Sequence, residues 1–139
     1  VEIAVLCGAD GVHVGQKDMK ASAVREIVGE DMIIGVSART VEQAVEAEQA
    51  GADYLGSGAV FGTTTKTDAK KLSLETLKDI CQAVQIPVVA IGGLNADNMD
   101  VLADSPIKGI AVVSAVMKAD DPCAAAARIK EKFLKMMNR

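Results

Sequence analysis

Tyr54-Leu55-Gly56-Ser57-Gly58-Ala59-Val60-Phe61-Gly62-Thr63-Thr64-Thr65-Lys66-Thr67-Asp68-Ala69 passes from a short apolar segment directly into a hydroxyl-rich one. The apolar part reads as a strand, and the remainder as a long loop leaving its carboxyl end ahead of an amphipathic helix that opens near Ser73. Loops in that position carry chemistry in parallel α/β folds. Here four threonine hydroxyls surround Lys66. They offer short donors and one mobile positive charge to phosphate oxygens, while Gly62 lets backbone N–H groups come close. A solvated loop with an exposed lysine is the alternative, because the Walker-type glycine spacing is missing.

Four further apolar, β-branched runs lie on either side: Gly11-Val12-His13-Val14, Met32-Ile33-Ile34-Gly35-Val36, Val88-Val89-Ala90-Ile91 and Gly109-Ile110-Ala111-Val112-Val113. Each reads as a strand buried on both faces. Successive runs begin about 21 or 22 residues apart, room for a strand and one crossover helix, except across the threonine-rich loop. The helices have legible ends. One covers residues 19–28 and is closed by Gly29. The next covers residues 41–50, opened by a Thr40/Gln43 capping box and closed by Gly51. Leu74, Leu77, Ile80, Cys81 and Val84 form the stripe of a third, which stops before Pro87. A short helix follows Asn95, and the last starts with Asp121 as cap and Pro122 at its first position. Residues 1–8 have helical spacing and a terminal glycine, like the end of a helix. Gly8-Ala9-Asp10 and Gly51-Ala52-Asp53 are one α-to-β turn used twice. Strands alternating with helices demand a parallel sheet, either doubly wound or part of an eight-stranded barrel.

The chain has 139 residues, half of them apolar, which suits a single domain over residues 1–139. Two Phe, one Tyr and no Trp leave aliphatic residues to fill the core, and they exclude base-stacking surfaces for single-stranded nucleic acid. A net charge of −4 without a basic block argues against DNA binding, so an anionic ligand must be held by local groups. Cys7, Cys81 and Cys123 are far apart and read as reduced, buried, cytosolic thiols. With no signal peptide and no long apolar run, a soluble cytoplasmic protein that does not enter membranes is expected.

In either parallel architecture the functional loops follow the strands. Those loops bring Lys17, Asp18, Ser37, Arg39, residues 62–68, Gly92-Gly93 and Ser114 to one rim, an inventory suited to phosphate and magnesium rather than to acyl transfer. Asp18 reads as a helix cap or as a carboxylate for a hydrated magnesium ion. Ser37 and Thr40 read as caps or ligand contacts, and Arg39 as a rim cation or surface charge. Gly92-Gly93, before a helix capped near Asn95, matches the place where barrel enzymes bind phosphate. His13, between two valines, reads as structural.

Six stretches in order resemble the thiamine-phosphate synthase (thiamine-phosphate pyrophosphorylase) family: Gly8-Ala9-Asp10-Gly11-Val12-His13-Val14-Gly15-Gln16-x-Asp18, Gly35-Val36-Ser37, Gly51-Ala52-Asp53-Tyr54, Val60-Phe61-x-Thr63-x-Thr65-Lys66-x-Asp68-Ala69, Ala90-Ile91-Gly92-Gly93 and Ala111-Val112-Val113-Ser114. The resemblance implies a (β/α)8 TIM barrel, of which this chain would be the last five βα units, lacking the N-terminal three. It implies a transferase that couples hydroxymethylpyrimidine diphosphate to a thiazole phosphate and releases diphosphate, with Mg2+ on the leaving group. It makes Asp18 a magnesium ligand, Ser37 and Lys66 holders of the diphosphate, and Thr63, Thr65, Gly93, Val113 and Ser114 contacts of the thiazole phosphate.

Two departures from the family pattern stand out. Ala59 and Gly62 occupy positions where proline is common, which should loosen the loop. The related thiazole tautomerases carry a histidine where this chain has Ala59, which cannot transfer protons; that disfavours a tautomerase-like paralogue. A non-catalytic phosphate-binding fragment is the other alternative. Five strands alone would leave sheet edges and an inner wall uncovered, so the chain is expected to form a homo-oligomer or to associate with a missing N-terminal segment.

Overall fold

The computed structural model describes residues 1–61 and 71–138. Among the described residues twelve elements follow one another, beginning with α1 (Glu2–Leu6), β1 (Gly11–Val14), α2 (Ala21–Val28), β2 (Ile33–Ser37), α3 (Val41–Gln49) and β3 (Tyr54–Gly58). Then come α4 (Leu74–Ala83), β4 (Val88–Ile91), a 3-10 turn (Met99–Leu102), β5 (Gly109–Ala111), α5 (Ser114–Met117) and α6 (Pro122–Met137). All strand pairings are parallel and run in the order β1-β2-β3-β4-β5. A doubly wound sheet reverses its strand order at a switch point. This sheet does not, so of the two architectures open to the sequence it has the singly wound one.

The strand runs form where their β-branched residues predict, with small shifts. The second strand begins at Ile33 rather than Met32, and the fifth ends at Ala111, two residues earlier than its apolar run. The expectation of strands buried on both faces holds on one face only. Val14, Ile34, Val36, Leu55, Val88 and Ala90 pack with helical residues such as Val24, Ala44, Leu77 and Ile80 in one core. The opposite face is open, with Ile33 50% and Ile91 39% exposed. That face alternates large and small residues across the register. His13 and Tyr54 both flank Gly35, while Gly56 separates Ser37 from Val89.

The repeated Gly-Ala-Asp turn has the same hydrogen bonds each time. Gly8 donates to the Val5 carbonyl and Ala9 to that of Ala4; Gly51 donates to Glu48 and Ala52 to Ala47. These are paired Schellman closures, which require a left-handed residue, and both glycines supply it at φ +64° and +87°. Asp53 then accepts from two directions through one oxygen, Arg25 Nη2 at 2.7 Å and the Ile34 N–H at 2.7 Å. Arg25 also donates to the carbonyls of Gly29, Met32 and Gly51. One guanidinium thus ties α2, β2 and the α3–β3 turn at the amino ends of the strands.

Helix starts follow their caps. Thr40, Ser73 and Asp121 accept from the backbone N–H groups of Gln43, Thr76 and Ala124. In the capping box, Gln43 Oε1 reaches the Arg39 N–H at 2.9 Å, one residue before the cap. Burial of all three cysteines is overturned: Cys7 and Cys123 are exposed because they sit at helix ends, and Cys81 is half-buried on α4. Burial pushes the Cys81 thiol pKa up, against smaller lowering effects of a backbone hydrogen bond and Lys108. Among the described residues, no helix is long and apolar enough to cross a membrane.

Candidate active site

The carboxyl ends of the strands open onto a cleft of about 320 Å³. Ser37 and Arg39 reach it from the end of β2, Gly93 from the turn after β4, and Val113 and Ser114 from the end of β5. Residues that are distant in sequence therefore share one concave surface. Thr63, Thr65 and Lys66 lie outside the described residues.

Ser37 closes β2 with its side chain on the open face of the sheet. Its Oγ lies 2.9 Å from His13 Nε2, and its carbonyl accepts from Gln16 Nε2 at 2.7 Å. Two groups from β1 and its loop thus fix both the backbone and the hydroxyl of Ser37. His13, expected to be structural from its place between valines, is hydrogen-bonded on both ring nitrogens. It is exposed on the open face, and its Nδ1 lies 3.0 Å from Tyr54 Oη. Strand parity carried the signal: with strands in parallel register, His13, Gly35 and Tyr54 fall side by side.

Asp18 does not cap α2. The cap position is Lys20, which makes no side-chain hydrogen bond, while Asp18 Oδ2 accepts from the Gly15 N–H at 2.7 Å and closes its own loop. Asp18 is not among the residues lining the main cleft; it borders a separate hollow beside His13 and Met19. Among the described residues there is no group of three or more metal-ligating side chains. A single carboxylate still fits magnesium, which keeps several waters and is often held by one or two carboxylates plus substrate phosphates.

Gly92 and Gly93 adopt φ of +106° and +64°, a conformation that side chains resist. A Cβ on Gly92 would strike Ala59, because the exit of β3 runs along the end of β4: Val60 donates to Ile91 and Phe61 to Gly92, each at 3.0 Å. Ala59 is buried, and its carbonyl accepts from Leu72 at 2.7 Å, so this part of the loop is anchored despite lacking proline. Gly62 lies outside the described residues. The helix expected at Asn95 begins later. Asn95 folds an Asx turn, accepting from Asp97 and Asn98, and the 3-10 turn starts at Met99. Asn98 Nδ2 holds the Gly93 carbonyl at 2.9 Å, so side chains rather than a helix terminus position the glycine turn.

Ser114 begins α5, a single turn that its four residues did not announce in the sequence. Val113 is 55% exposed at the rim. Arg39 is half-buried with its side chain bordering the cleft, in keeping with a rim cation.

Residues 1–116 match the model of the thiamine monophosphate synthase family. The thiamine-phosphate synthase of Ruminiclostridium cellulolyticum is 54% identical over 134 residues, 96% of this chain and 64% of that protein. The one from Clostridium tetani is 53% identical over 87% of this chain and 58% of its own length. Among solved structures, the thiamine phosphate pyrophosphorylase from Pyrococcus furiosus superimposes with a TM-score of 0.88 at 43% identity. That match covers 98% of this chain and 65% of the other. The chain spans about three-fifths of the length of the curated relatives it matches. On the breadth of the family match and these identities, the chain belongs to the thiamine monophosphate synthase family.

Proposed function

We propose that the complete protein is a thiamine-phosphate synthase, joining hydroxymethylpyrimidine diphosphate to a thiazole phosphate with release of diphosphate. The observation that carries this reading is the cleft at the carboxyl ends of the strands, which gathers Ser37, Gly93, Val113 and Ser114 from three strand ends. Family membership supplies the reaction class.

In this reading the bond between the pyrimidine methylene and the leaving oxygen breaks, and its electron pair departs with diphosphate. The thiazole nitrogen donates its lone pair to the same carbon, so no protein nucleophile is needed. Charge grows on the leaving oxygens, and catalysis lies in neutralising it. Ser37 donates a hydrogen bond to diphosphate and Lys66 supplies positive charge. Thr63, Thr65, Gly93, Val113 and Ser114 hold the thiazole phosphate. Asp18 is the carboxylate available to Mg2+, which when bound offsets charge on the diphosphate.

This chain accounts for the last five βα units of a (β/α)8 barrel. Its share of the relatives' length is in keeping with that fraction, and its open sheet face, together with exposed Ile3 and Leu6 on α1, offers apolar surface for the other units. Association with those units, or with a second copy, follows from the same exposure.

The direct test is steady-state turnover of the complete protein with Lys66→Ala. Loss of one electrostatic partner of the leaving group should lower kcat about 10²-fold or more while thermal stability stays close to the parent's. Equal rates would refute the assignment. In the same assay Ser114→Ala should raise the KM for the thiazole phosphate, and an unchanged saturation curve would reject its role.

A further inference from the structure

His13 stands between two hydroxyls, with Nδ1 3.0 Å from Tyr54 Oη and Nε2 2.9 Å from Ser37 Oγ. A neutral imidazole has one N–H and one acceptor nitrogen, so the relay runs in one of two directions. If Ser37 donates to Nε2, its proton is committed there and it turns only lone pairs toward the cleft. If Tyr54 donates to Nδ1, Nε2 carries the ring proton and donates to Ser37 Oγ. The serine proton is then directed elsewhere, and the cleft that Ser37 lines is where an acceptor would meet it.

One feature favours the second direction, and another holds the ring in place for either. A phenol is more acidic than an aliphatic hydroxyl and gives up part of its acceptor strength to the ring, so Tyr54 is the better donor of the pair. The seat of the ring is also built for this contact. A Cβ on Gly35 would run into both Tyr54 Cζ and His13 Nδ1, and one on Gly56 would come within 3.1 Å of His13 Cε1. The absence of side chains at two neighbouring positions keeps the three residues in line.

We propose that Tyr54 is a positioning residue that, acting through His13, sets Ser37 as a hydrogen-bond donor toward an anionic ligand in the cleft. This rests on the reading of Ser37 as a diphosphate contact, and adds the group that orients it.

The test uses the complete protein. Long-range proton–nitrogen NMR correlation, with the His13 signal assigned by its loss in His13→Asn, should show Nε2 protonated. In Tyr54→Phe, kcat/KM for the pyrimidine diphosphate should fall about tenfold, the scale of one charge-assisted hydrogen bond. Combining Tyr54→Phe with Ser37→Ala should lose no more than Ser37→Ala alone, because both remove the same contact. An unprotonated Nε2 in the parent, additive losses in the double variant, or an unaffected Tyr54→Phe beside an impaired Ser37→Ala would overturn the inference. An unimpaired Ser37→Ala would instead remove the diphosphate role of Ser37, and this relay with it.

Discussion

The two ends of the sheet are built on opposite plans. At the amino ends of the strands, Arg25 makes four hydrogen bonds, Asp53 accepts from both Arg25 and Ile34, and Glu48 Oε1 accepts from the Gln85 and Ile86 N–H groups. Polar groups there are tied to one another and leave little for a ligand. At the carboxyl ends, glycines replace side chains, Val113 and Ser114 stand exposed, and the cleft remains open. The closed end holds the strands in register, and that fixed register brings distant residues together at the open end. The tied polar network and the open cleft thereby lie at opposite ends of the same strands.

The sharpest way to break this division is Asp53→Ala. It leaves the Arg25 guanidinium, 16% exposed, and the Ile34 N–H without their shared acceptor. A loss of about 3 kcal/mol in urea unfolding is expected, with KM values of the remaining folded protein unchanged. A large rise in KM would mean that the two ends are not separable. Gly35→Ala probes the wall between them. The added methyl would collide with Tyr54 and His13, costing about 2 kcal/mol as overpacking and also lowering kcat/KM. Loss of stability alone would detach that wall from the site. The smallest effect should come from Ser57→Ala. The Ser57 hydroxyl is fully buried on the helix-facing side without a hydrogen-bond partner among the described residues. Its removal should be neutral or stabilising, within about 0.5 kcal/mol, by the same unfolding measurement.

Features set by local chemistry could be read from the sequence. Gly8 and Gly51 announced their turns, Thr40, Ser73 and Asp121 announced helix starts, the strands at Gly11 and Val88 stood out by β-branching and spacing, and that at Tyr54 by its spacing. Features that depend on register were hidden. Arg25 pairs with Asp53 across two crossovers, and nothing near either residue marks the partnership. His13 read as structural, and only the parallel pairing placed it beside Gly35 and Tyr54. Asp18 looked like a cap because it is an aspartate just ahead of a helix. Its short side chain instead reaches back to Gly15, and α2 starts two residues later than it would with Asp18 as its cap. Of the expected cleft residues, Ser37, Gly93, Val113 and Ser114 were legible because each ends or follows a strand.

The unbroken strand order β1-β2-β3-β4-β5 also bears on how the sheet comes to exist. Every strand pairs with the one before it in the chain, so no strand has to wait for a partner made much later. Parallel pairing is usually slow because a long loop must close before its contacts reward it. Here each closure is a single crossover, and α2, α3 and α4 each pack against the strand they have just delivered. The longest interval, from Leu55 to its partner Val88, contains the threonine-rich segment. Assembly can therefore proceed by addition at one growing edge, with the β3–β4 step as its slowest closure. The segment proposed to bind the phosphates is then also the one that sets the pace of folding.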